Sequence, residues 1–408
     1  MEIYRLDEVS VVDFGKVQKL MDGIKISLRD SSDGEVIARD WRTNELVRIV
    51  WSKGVISSRE AGVVGAPDGL WLLPPLIDIQ VNGFAGVDFQ DPSVTEAEME
   101  KAVAGLKSSA CGGCLVTLVT DDWTSLLGKL KQLVALRAEN AALREFILGW
   151  HLEGPFLSSE EGYRGAHSGE FMIDPHSGHL DAVQAIVGME PLLMTVAPER
   201  RGAIETICEG CCRGIRFSLG HSAAGPPTVA EAIGAGATGI THLGNGCPQM
   251  WDRHNNWFWT VVDCKGLYVG LIPDSIHLPA PVFRGMHRAL AGRHQVYYTT
   301  DAISAAGAPP GRHGFWPHWL EVGGDQVVRQ PGRSNFSGSA LCPLEGVLRA
   351  ARMLGEDWQQ AWSRFSEVPA RHVGMDLNLT VGVPARFCLV RSGPRNEVKE
   401  VTLQYSRL

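Results

Sequence analysis

The chain has 408 residues, of which 44% are apolar and 21% charged, and its formal net charge is −8. This composition is that of an ordinary globular protein, and the length suits one barrel of about 250 residues with a smaller accessory domain. The sequence contains no run rich in Lys and Arg, which argues against nucleic acid as a partner.

Export and membrane insertion are also disfavoured. The first residues, MEIYRLDEVSVVDFGK, are mixed and charged and lack the apolar stretch of a signal peptide. No apolar run reaches the roughly 18 residues of a membrane-spanning helix. We therefore expect a cytoplasmic protein without a membrane partner.

Both ends of the chain contain short apolar runs and turns that are typical of strands. These runs lie within residues 1–72 and again within 383–406. We predict that 1–72 and 375–408 together form a small β-sandwich domain, and that 73–374 form the catalytic domain between them.

Eight apolar runs in the middle of the chain each end in polar or small residues. They cover 74–83, 113–122, 146–155, 191–199, 215–222, 238–246, 267–277 and 295–304. Helical patterns lie between most of them, for example at 95–110 and 124–146. This alternation predicts an α/β fold with a parallel sheet, and eight repeats favour a (β/α)8 TIM barrel. An open doubly wound sheet is the alternative, although no G-x-G-x-x-G follows the first strand.

The residue types suited to hydrolysis stand at the ends of predicted strands three, five, six, seven and eight. They are Glu153, His221, His242, His277 and Asp301. Catalytic groups of such barrels lie at these ends. One carboxylate and two imidazoles suit a catalytic Zn²⁺ with water in the remaining position, which predicts Glu153, His221 and His242 as ligands. Asp301 would then move protons between the water and the leaving nitrogen.

Each of these residues also has a structural interpretation. Glu153 or Asp301 alone could cap a helix, and a single histidine such as His277 is often a hydrogen-bonded structural residue. Their recurrence at strand ends favours a shared site. The cysteine pairs Cys111/Cys114 and Cys208/Cys211 have zinc-ribbon spacing, but they lie far apart, with Cys111 and Cys208 in helical patterns. Buried, reduced thiols are the better interpretation.

The central part of the chain resembles the N-acetylglucosamine-6-phosphate deacetylases of the amidohydrolase superfamily. The matching strings occur in family order between residues 74 and 340: PPLIDIQVNG, HLEGPF followed by GAH, LGHSAA, THLGNG followed by Arg253, TTDAISAAG and FSGS. The resemblance implies an enzyme that removes the acetyl group from N-acetylglucosamine-6-phosphate, giving glucosamine-6-phosphate and acetate.

The first string implies a single metal ion. Most amidohydrolases carry two histidines on strand one, and Gln80 and Asn82 stand in those places here. Neutral amides are poor substitutes for imidazole on zinc. One divalent ion, Zn²⁺ or alternatively Fe²⁺, Co²⁺ or Mn²⁺, is therefore expected.

The resemblance also assigns roles to the remaining residues. Asp301 is the catalytic acid and base, and His167 helps to polarise the acetyl carbonyl. Arg253 is a phosphate-binding arginine, and His277 is a phosphate contact that a neighbouring subunit donates, which implies a homodimer. The substrate-binding set comprises Gln80, Asn82, Ala166, Asn245, Gly246, Arg253, His277, Phe336, Ser337 and Gly338.

Some features depart from the family pattern. Asn245 is followed by Gly246 instead of alanine, residues 248–259 are rich in tryptophan, and residues 309–335 form a Pro/Gly-rich insertion that could be a lid or a surface hairpin. Two alternatives follow. One is another amidohydrolase, acting on an N-acyl amino acid, an unphosphorylated N-acetyl sugar or a cyclic amide. The other is a catalytically silent barrel that binds a sugar or a partner.

Overall fold

A parallel barrel forms the centre of the protein. The structure is a computed structural model that describes residues 21, 23–65, 68–331 and 336–406. Eight parallel strands follow one another around the barrel in chain order. They are β6 (Leu76–Val81), β9 (Cys111–Val119), β10 (Ile147–Glu153), β11 (Leu192–Val196), β12 (Arg216–Leu219), β13 (Gly239–Ile240), β14 (Tyr268–Leu271) and β15 (Gln295–Tyr298). The predicted barrel is therefore confirmed.

The barrel closes just beyond the end of β15. Val81 forms a parallel bridge with Ala302, and the Asn82 amide donates to the Ala302 carbonyl at 2.7 Å. Below this bridge the fully buried Asp78 carboxylate accepts the hydroxyls of Thr299 and Thr300, each at 2.5 Å, and the Thr300 amide at 3.2 Å. Asp78 thus joins the first strand to the last.

Replacing Asp78 with alanine is expected to lower the free energy of unfolding by about 3 kcal/mol at pH 5, because the Thr300 amide loses its acceptor. Burial raises the pKa of Asp78 to about 6, so its stabilising contribution is full below the unfolded value near 4 and declines as the pH rises through 6. At pH 8 the difference in the free energy of unfolding between wild type and Asp78→Ala should be smaller by about 1 kcal/mol. Urea unfolding at pH 5 and pH 8 measures this difference.

An exposed aspartate provides the control for this measurement. The Asp263 side chain is 96% exposed, so Asp263→Ala should change stability by less than about 0.5 kcal/mol. An equally small change for Asp78→Ala would contradict the role of Asp78 in barrel closure.

Helices on the outside of the barrel cover the sheet between successive strands. Their apolar faces pack into the same core as the strands, except that Val368 and Ala370 of the last helix belong to a second cluster with Ile77 and Ile79 of the first barrel strand. They are α1 (Glu96–Lys107), α2 (Trp123–Glu139), α3 (Ala141–Phe146), α4 (Ser177–Val187), α5 (Ala203–Cys212), α6 (Pro226–Gly234), α7 (Trp257–Asp263), α8 (Ala280–Leu290), α9 (Pro343–Leu354), α10 (Trp358–Arg364) and α11 (Glu367–His372). A 3₁₀ turn, Gly169–Phe171, precedes α4.

Two local predictions are wrong. The helical pattern over 124–146 is two helices, because Asn140 is extended and its side chain accepts the Leu143 amide to cap α3. Cys111 begins β9 instead of lying in a helix, since α1 ends at Lys107. All nine cysteines are free, but Cys208 and Cys212 are exposed, so buried thiols describe only part of the set.

The two ends of the chain build one β domain, as predicted. Its sheet has the order β1-β20-β19-β5-β2-β3-β4. The strands are β1 (Lys25–Arg29), β2 (Gly34–Asp40), β3 (Leu46–Ser52), β4 (Val55–Ala61), β5 (Leu70–Leu73), β19 (Arg386–Ser392) and β20 (Val398–Tyr405). The division of the chain at residues 72 and 375 stays a prediction.

The terminal sheet folds over into two layers. Trp51 on β3 and Phe387 on β19 lie three strands apart in the sheet, yet their ring centroids are 5.4 Å apart. An antiparallel bridge joins Val55 on the edge strand β4 to Pro384, which lies just before the inner strand β19. Alternate residues of β19 face opposite sides, so that Phe387 packs inside the β domain and Cys388 packs against the barrel.

The insertion after the last barrel strand forms a three-stranded antiparallel hairpin sheet that contacts the segments following the first and last barrel strands. The described part of 309–335 contains β16 (Gly311–Phe315), β17 (His318–Val322) and β18 (Val328–Arg329), paired antiparallel. Ser304 donates to the Gly314 carbonyl at 2.5 Å, and the Trp316 amide donates to Asp88 at 2.6 Å. Asp88 belongs to the short ribbon β7 (Gly83–Phe84) and β8 (Val87–Asp88) that follows β6.

None of the helices in the described residues is long and apolar enough to cross a membrane.

Candidate metal and substrate site

Three predicted ligands meet at the carboxyl-terminal mouth of the barrel. One ligand atom each from Glu153, His221 and His242 lies within 4.8 Å of the other two, and all three residues are buried. Glu153 Oε1 is 2.7 Å from His242 Nε2 and 3.3 Å from His221 Nε2. Glu153 ends β10 with its side chain in this cluster, so the helix-cap interpretation is wrong.

The backbone at these strand ends is strained. His221, His242 and Asp301 have φ values of 49°, 27° and 52°, in the left-handed region that residues with a side chain rarely adopt. Such conformations cost on the order of 1–3 kcal/mol each and concentrate at functional sites. The strain therefore supports a functional interpretation of the strand ends.

The donor set fits a divalent metal ion. A carboxylate with two imidazoles, closed off from solvent, is a usual zinc-binding set, and a buried site with these atoms in mutual reach suits one ion. The Nδ1 of His221 lies 2.8 Å from the Tyr163 carbonyl, which holds a proton on Nδ1, so Nε2 is the nitrogen that can bind a metal ion once it is deprotonated. Tyr163 contributes only backbone, so no side-chain pattern could have revealed it.

Electrostatics keep Glu153 ionised. Burial opposes ionisation, but the charges of His242 and the hydrogen bonds from His221 and His242 outweigh it and hold the pKa of Glu153 well below its usual range. Burial also opposes protonation of His242, yet Glu153 raises the pKa of that imidazole. The cluster is therefore an ionised carboxylate beside imidazoles, and a metal ion bound there would displace the ring protons that face Glu153.

Asp301 lies beside this cluster and is held by the two amides on strand one. Gln80 Nε2 and Asn82 Nδ2 donate to the same oxygen, Asp301 Oδ1, at 3.1 and 2.8 Å. Burial, and then the charge of Glu153, raise the pKa of Asp301 to about 7. A carboxyl group titrating near neutrality can both accept and return a proton.

His167 lies at the edge of the cluster and packs edge-to-face against His221. Its ring is 4.5 Å from that of His221, and its Nε2 is 3.9 Å from Glu153 Oε2. Burial and the neighbouring His221 lower the pKa of His167 to about 3, so the ring is neutral at physiological pH. The predicted proximity of His167 to the metal site is thus present, with Thr120 as an additional contact that the sequence patterns did not single out.

His277 lies at the mouth of its own chain's barrel. Asp274 accepts from its Nδ1 at 2.6 Å, and the ring of Phe336 is 5.0 Å away. Burial opposes its protonation, but Asp274 raises the pKa of His277 and so favours the cationic form of the ring. Sequence analysis missed Asp274, although an aspartate three residues before a strand-end histidine was a usable signal.

Three buried polar atoms in or near these residues lack a hydrogen-bond partner among the described residues. They are Asn82 Oδ1, His242 Nδ1 and Ser337 Oγ. Buried polar atoms are normally paired, so unpaired ones at a candidate site point to a ligand. Ser337 belongs to the predicted substrate-binding segment 336–338, in which Gly338 has a φ of 67°.

The remaining predicted substrate-binding residues make fewer contacts with the metal cluster. Asn245 donates to the His242 carbonyl at 3.3 Å. Gly246 has a φ of 60°, and a Cβ there would lie 2.5 Å from His221 Nδ1, which explains why alanine is absent. Ala166 precedes His167 and is partly buried, whereas Arg253 is exposed and has no ion pair with any described residue.

The other histidines lie outside the cluster. His151 is buried inside the barrel, and its ring forms a hydrogen bond with the Thr195 hydroxyl at 2.8 Å. His294 is also buried, and its Nδ1 accepts a hydrogen bond from the Leu267 amide. His254 is exposed next to Arg253. In the described residues no second group of three metal-binding side chains is present, which leaves the zinc-ribbon interpretation without support.

Comparison with known proteins identifies similar enzymes, although no family model matches the sequence. The chain is 30% identical over 341 residues to N-acetylgalactosamine-6-phosphate deacetylase of Escherichia coli O157:H7, covering 82% of this chain and 87% of that protein. It is 33% identical over 306 residues to N-acetylglucosamine-6-phosphate deacetylase of Danio rerio, covering 69% and 74%.

A solved structure has the same fold. It is a mutant N-acetyl-D-glucosamine-6-phosphate deacetylase of Mycobacterium smegmatis in complex with N-acetyl-D-glucosamine-6-phosphate. The TM-score is 0.78 at 24% identity, and the match covers 90% of this chain and 97% of that one.

Proposed function

Because the chain belongs to the N-acetylglucosamine-6-phosphate deacetylase family of the amidohydrolase superfamily, we propose that it hydrolyses the acetamido group of N-acetylglucosamine-6-phosphate. Water adds to the acetyl carbonyl carbon, the C–N bond breaks, and acetate and glucosamine-6-phosphate are released. The observation that carries the proposal is the convergence of Glu153, His221 and His242 beside Asp301 at the barrel mouth.

Glu153, His221 and His242 would hold one divalent metal ion, most simply Zn²⁺, with Fe²⁺, Co²⁺ and Mn²⁺ as the alternatives that the same donors accept. An ion bound there would supply electrophilic activation of water and of the carbonyl group. The two amides on strand one make a second ion in the same mouth unfavourable, since both of them donate to Asp301.

Asp301 takes the proton of the attacking water and returns it to the leaving nitrogen. Gln80 and Asn82 hold Oδ1 of the carboxylate, which leaves Oδ2 free for the proton. His167 donates from Nε2 to the acetyl oxygen, where negative charge develops. These roles need only the contacts already described around the cluster.

The sugar phosphate would lie between the cluster and the hairpin side of the mouth. We assign the sugar contacts to Ala166, Asn245, Gly246 and 336–338, where Ser337 Oγ lacks a partner among the described residues. His277, whose pKa is raised by Asp274, and the exposed Arg253 are assigned to the phosphate.

The test is acetate release by the metal-loaded protein. We expect turnover of N-acetylglucosamine-6-phosphate, and slower turnover of unphosphorylated N-acetylglucosamine. N-acetylgalactosamine-6-phosphate is a second candidate substrate, because the Escherichia coli relative named for that sugar is matched over 87% of its length. Absence of turnover on all three compounds contradicts the proposal, and turnover confined to the unphosphorylated sugar contradicts the phosphate assignment.

Arg253→Ala is expected to lower kcat/KM for the sugar phosphate by about 30-fold, which corresponds to about 2 kcal/mol for a lost charged contact. Hydrolysis of unphosphorylated N-acetylglucosamine should be unchanged. Steady-state kinetics on both compounds measure the difference, and Arg352→Ala, an exposed arginine on α9, is the matched control. An equal loss on both compounds would refute phosphate recognition by Arg253.

We also propose that the enzyme acts in the cytoplasm as a homodimer. Nine free cysteines suit a reducing compartment. The basis of the dimer is His277, which we assign as a phosphate contact donated to a neighbouring subunit; Asp274 and Phe336 position its ring within its own chain. Analytical ultracentrifugation that gave only the mass of one chain would contradict the dimer.

A further inference from the structure

Thr120 and Glu153 lie at opposite nitrogens of one imidazole ring. The Thr120 hydroxyl is 2.9 Å from Nδ1 of His167, and the Nε2 of the same ring is 3.9 Å from Glu153 Oε2. The His167 side chain is only 8% exposed, so water competes poorly for either nitrogen. Whether Nδ1 carries a proton therefore depends on its contact with the Thr120 hydroxyl.

The single proton of the Thr120 hydroxyl has two possible acceptors. One is His167 Nδ1 at 2.9 Å, and the other is the Glu153 carbonyl at 3.5 Å. The contact with the carbonyl is longer than the usual O–H···O range of about 2.5–3.0 Å, so Nδ1 is the acceptor within normal reach of the hydroxyl proton. In a neutral ring, an Nδ1 that accepts carries no proton, so Nε2 carries it. Only that tautomer can donate to an acetyl oxygen.

The backbone next to Glu153 leaves room for this contact. Gly154 has a φ of 94°, and a Cβ built on it would lie 2.1 Å from Thr120 Oγ1. Strands β9 and β10 pair in parallel at this end, with Val119 opposite Glu153, so Thr120 and Gly154 are the next residues of adjacent strands. Any side chain at position 154 would displace the Thr120 hydroxyl from His167.

We propose that Thr120 is a positioning residue, whose hydroxyl donates to Nδ1 of His167 and keeps the ring in the Nε2–H tautomer that the reaction needs. The inference rests on the role proposed above for His167. It adds a residue that acts through His167 without touching the substrate.

Thr120→Val preserves the shape of the side chain and removes the donor, whereas Thr120→Ser preserves the donor. We expect Thr120→Val to lower kcat about 30-fold with KM changed by less than about threefold, as for other residues that orient a reacting group. Thr120→Ser should stay within about threefold of wild type. Equal losses in both variants would overturn the proposal.

A double-mutant cycle with His167→Ala separates positioning from a general structural effect. In the His167→Ala background, Thr120→Val should change kcat by less than about twofold. Thr238→Val is the matched control, because the buried Thr238 hydroxyl has no partner among the described residues. The same loss from Thr120→Val with and without His167 would overturn the proposal.

Nitrogen-15 NMR of the labelled imidazole gives a readout that does not depend on turnover. Wild type should show His167 protonated at Nε2, and Thr120→Val should show a mixture of tautomers or Nδ1–H. Wild type with the proton on Nδ1 would overturn the proposal for Thr120. An inactive wild type with the Nε2–H signal would instead refute the proposed function.

Discussion

Asp301→Asn is expected to lower kcat for deacetylation by about 10³-fold while the protein retains its metal ion. Asparagine keeps the shape of the side chain, and its Oδ1 can still accept from Gln80 and Asn82. It cannot accept a proton from water or return one to the leaving nitrogen. Steady-state kinetics and metal analysis of the same preparation separate the two effects.

The pH dependence of wild type provides a second measurement of the same group. Burial and Glu153 raise the pKa of Asp301 to about 7, and a general base must be ionised, so kcat/KM should fall as the pH drops below this range. A bound cation would move the limb to lower pH, because positive charge favours the carboxylate. Asp181→Asn, on the surface of α4, should leave both the rate and the pH profile unchanged.

A substitution of Asn82 tests whether this residue supports Asp301 or only binds the sugar. Its hydrogen bond favours the ionised form of Asp301, so Asn82→Ala should shift the acid limb to higher pH and reduce kcat. A change in KM alone, with an unmoved acid limb, would indicate that Asn82 contacts only the sugar. Full activity of Asp301→Asn would refute the role of Asp301 altogether.

Glu153→Gln is expected to reduce the metal content from one ion per chain to well below one. It should also lower kcat by about 10³-fold or more, because several kcal/mol of electrophilic assistance are lost. The amide removes the only negative charge of the cluster and so weakens cation binding at its centre. Plasma mass spectrometry of the dialysed protein gives the stoichiometry.

Removing the metal ion from wild type and adding it back tests the same site without a mutation. Treatment of wild type with a chelator should abolish turnover, and Zn²⁺, Co²⁺, Mn²⁺ and Fe²⁺ added singly should show which ion restores it. His318→Ala, an exposed histidine on β17, should bind metal like wild type. Two ions per chain in wild type would contradict a single site, and a stoichiometric ion in Glu153→Gln would contradict its ligand role.

Local sequence patterns predict much of the fold and part of the site. Alternating apolar strands and amphipathic helices are readable because each depends on residues a few positions apart, and strand ends in a barrel share one mouth. Glu153, His221 and His242 were therefore predictable as a cluster from position alone. The split of 124–146 at Asn140 was not, since one capping side chain decided it.

The sequence by itself determined the repeating βα order, the barrel and the residue types at its mouth, because periodic burial is written into neighbouring residues. Only the tertiary structure decided that Asp78 closes the barrel, that Gln80 and Asn82 hold Asp301 from more than 200 positions away, and that Thr120 lies against His167. Such contacts depend on strand register and on backbone conformation at each strand end, as the left-handed His221, His242 and Asp301 illustrate.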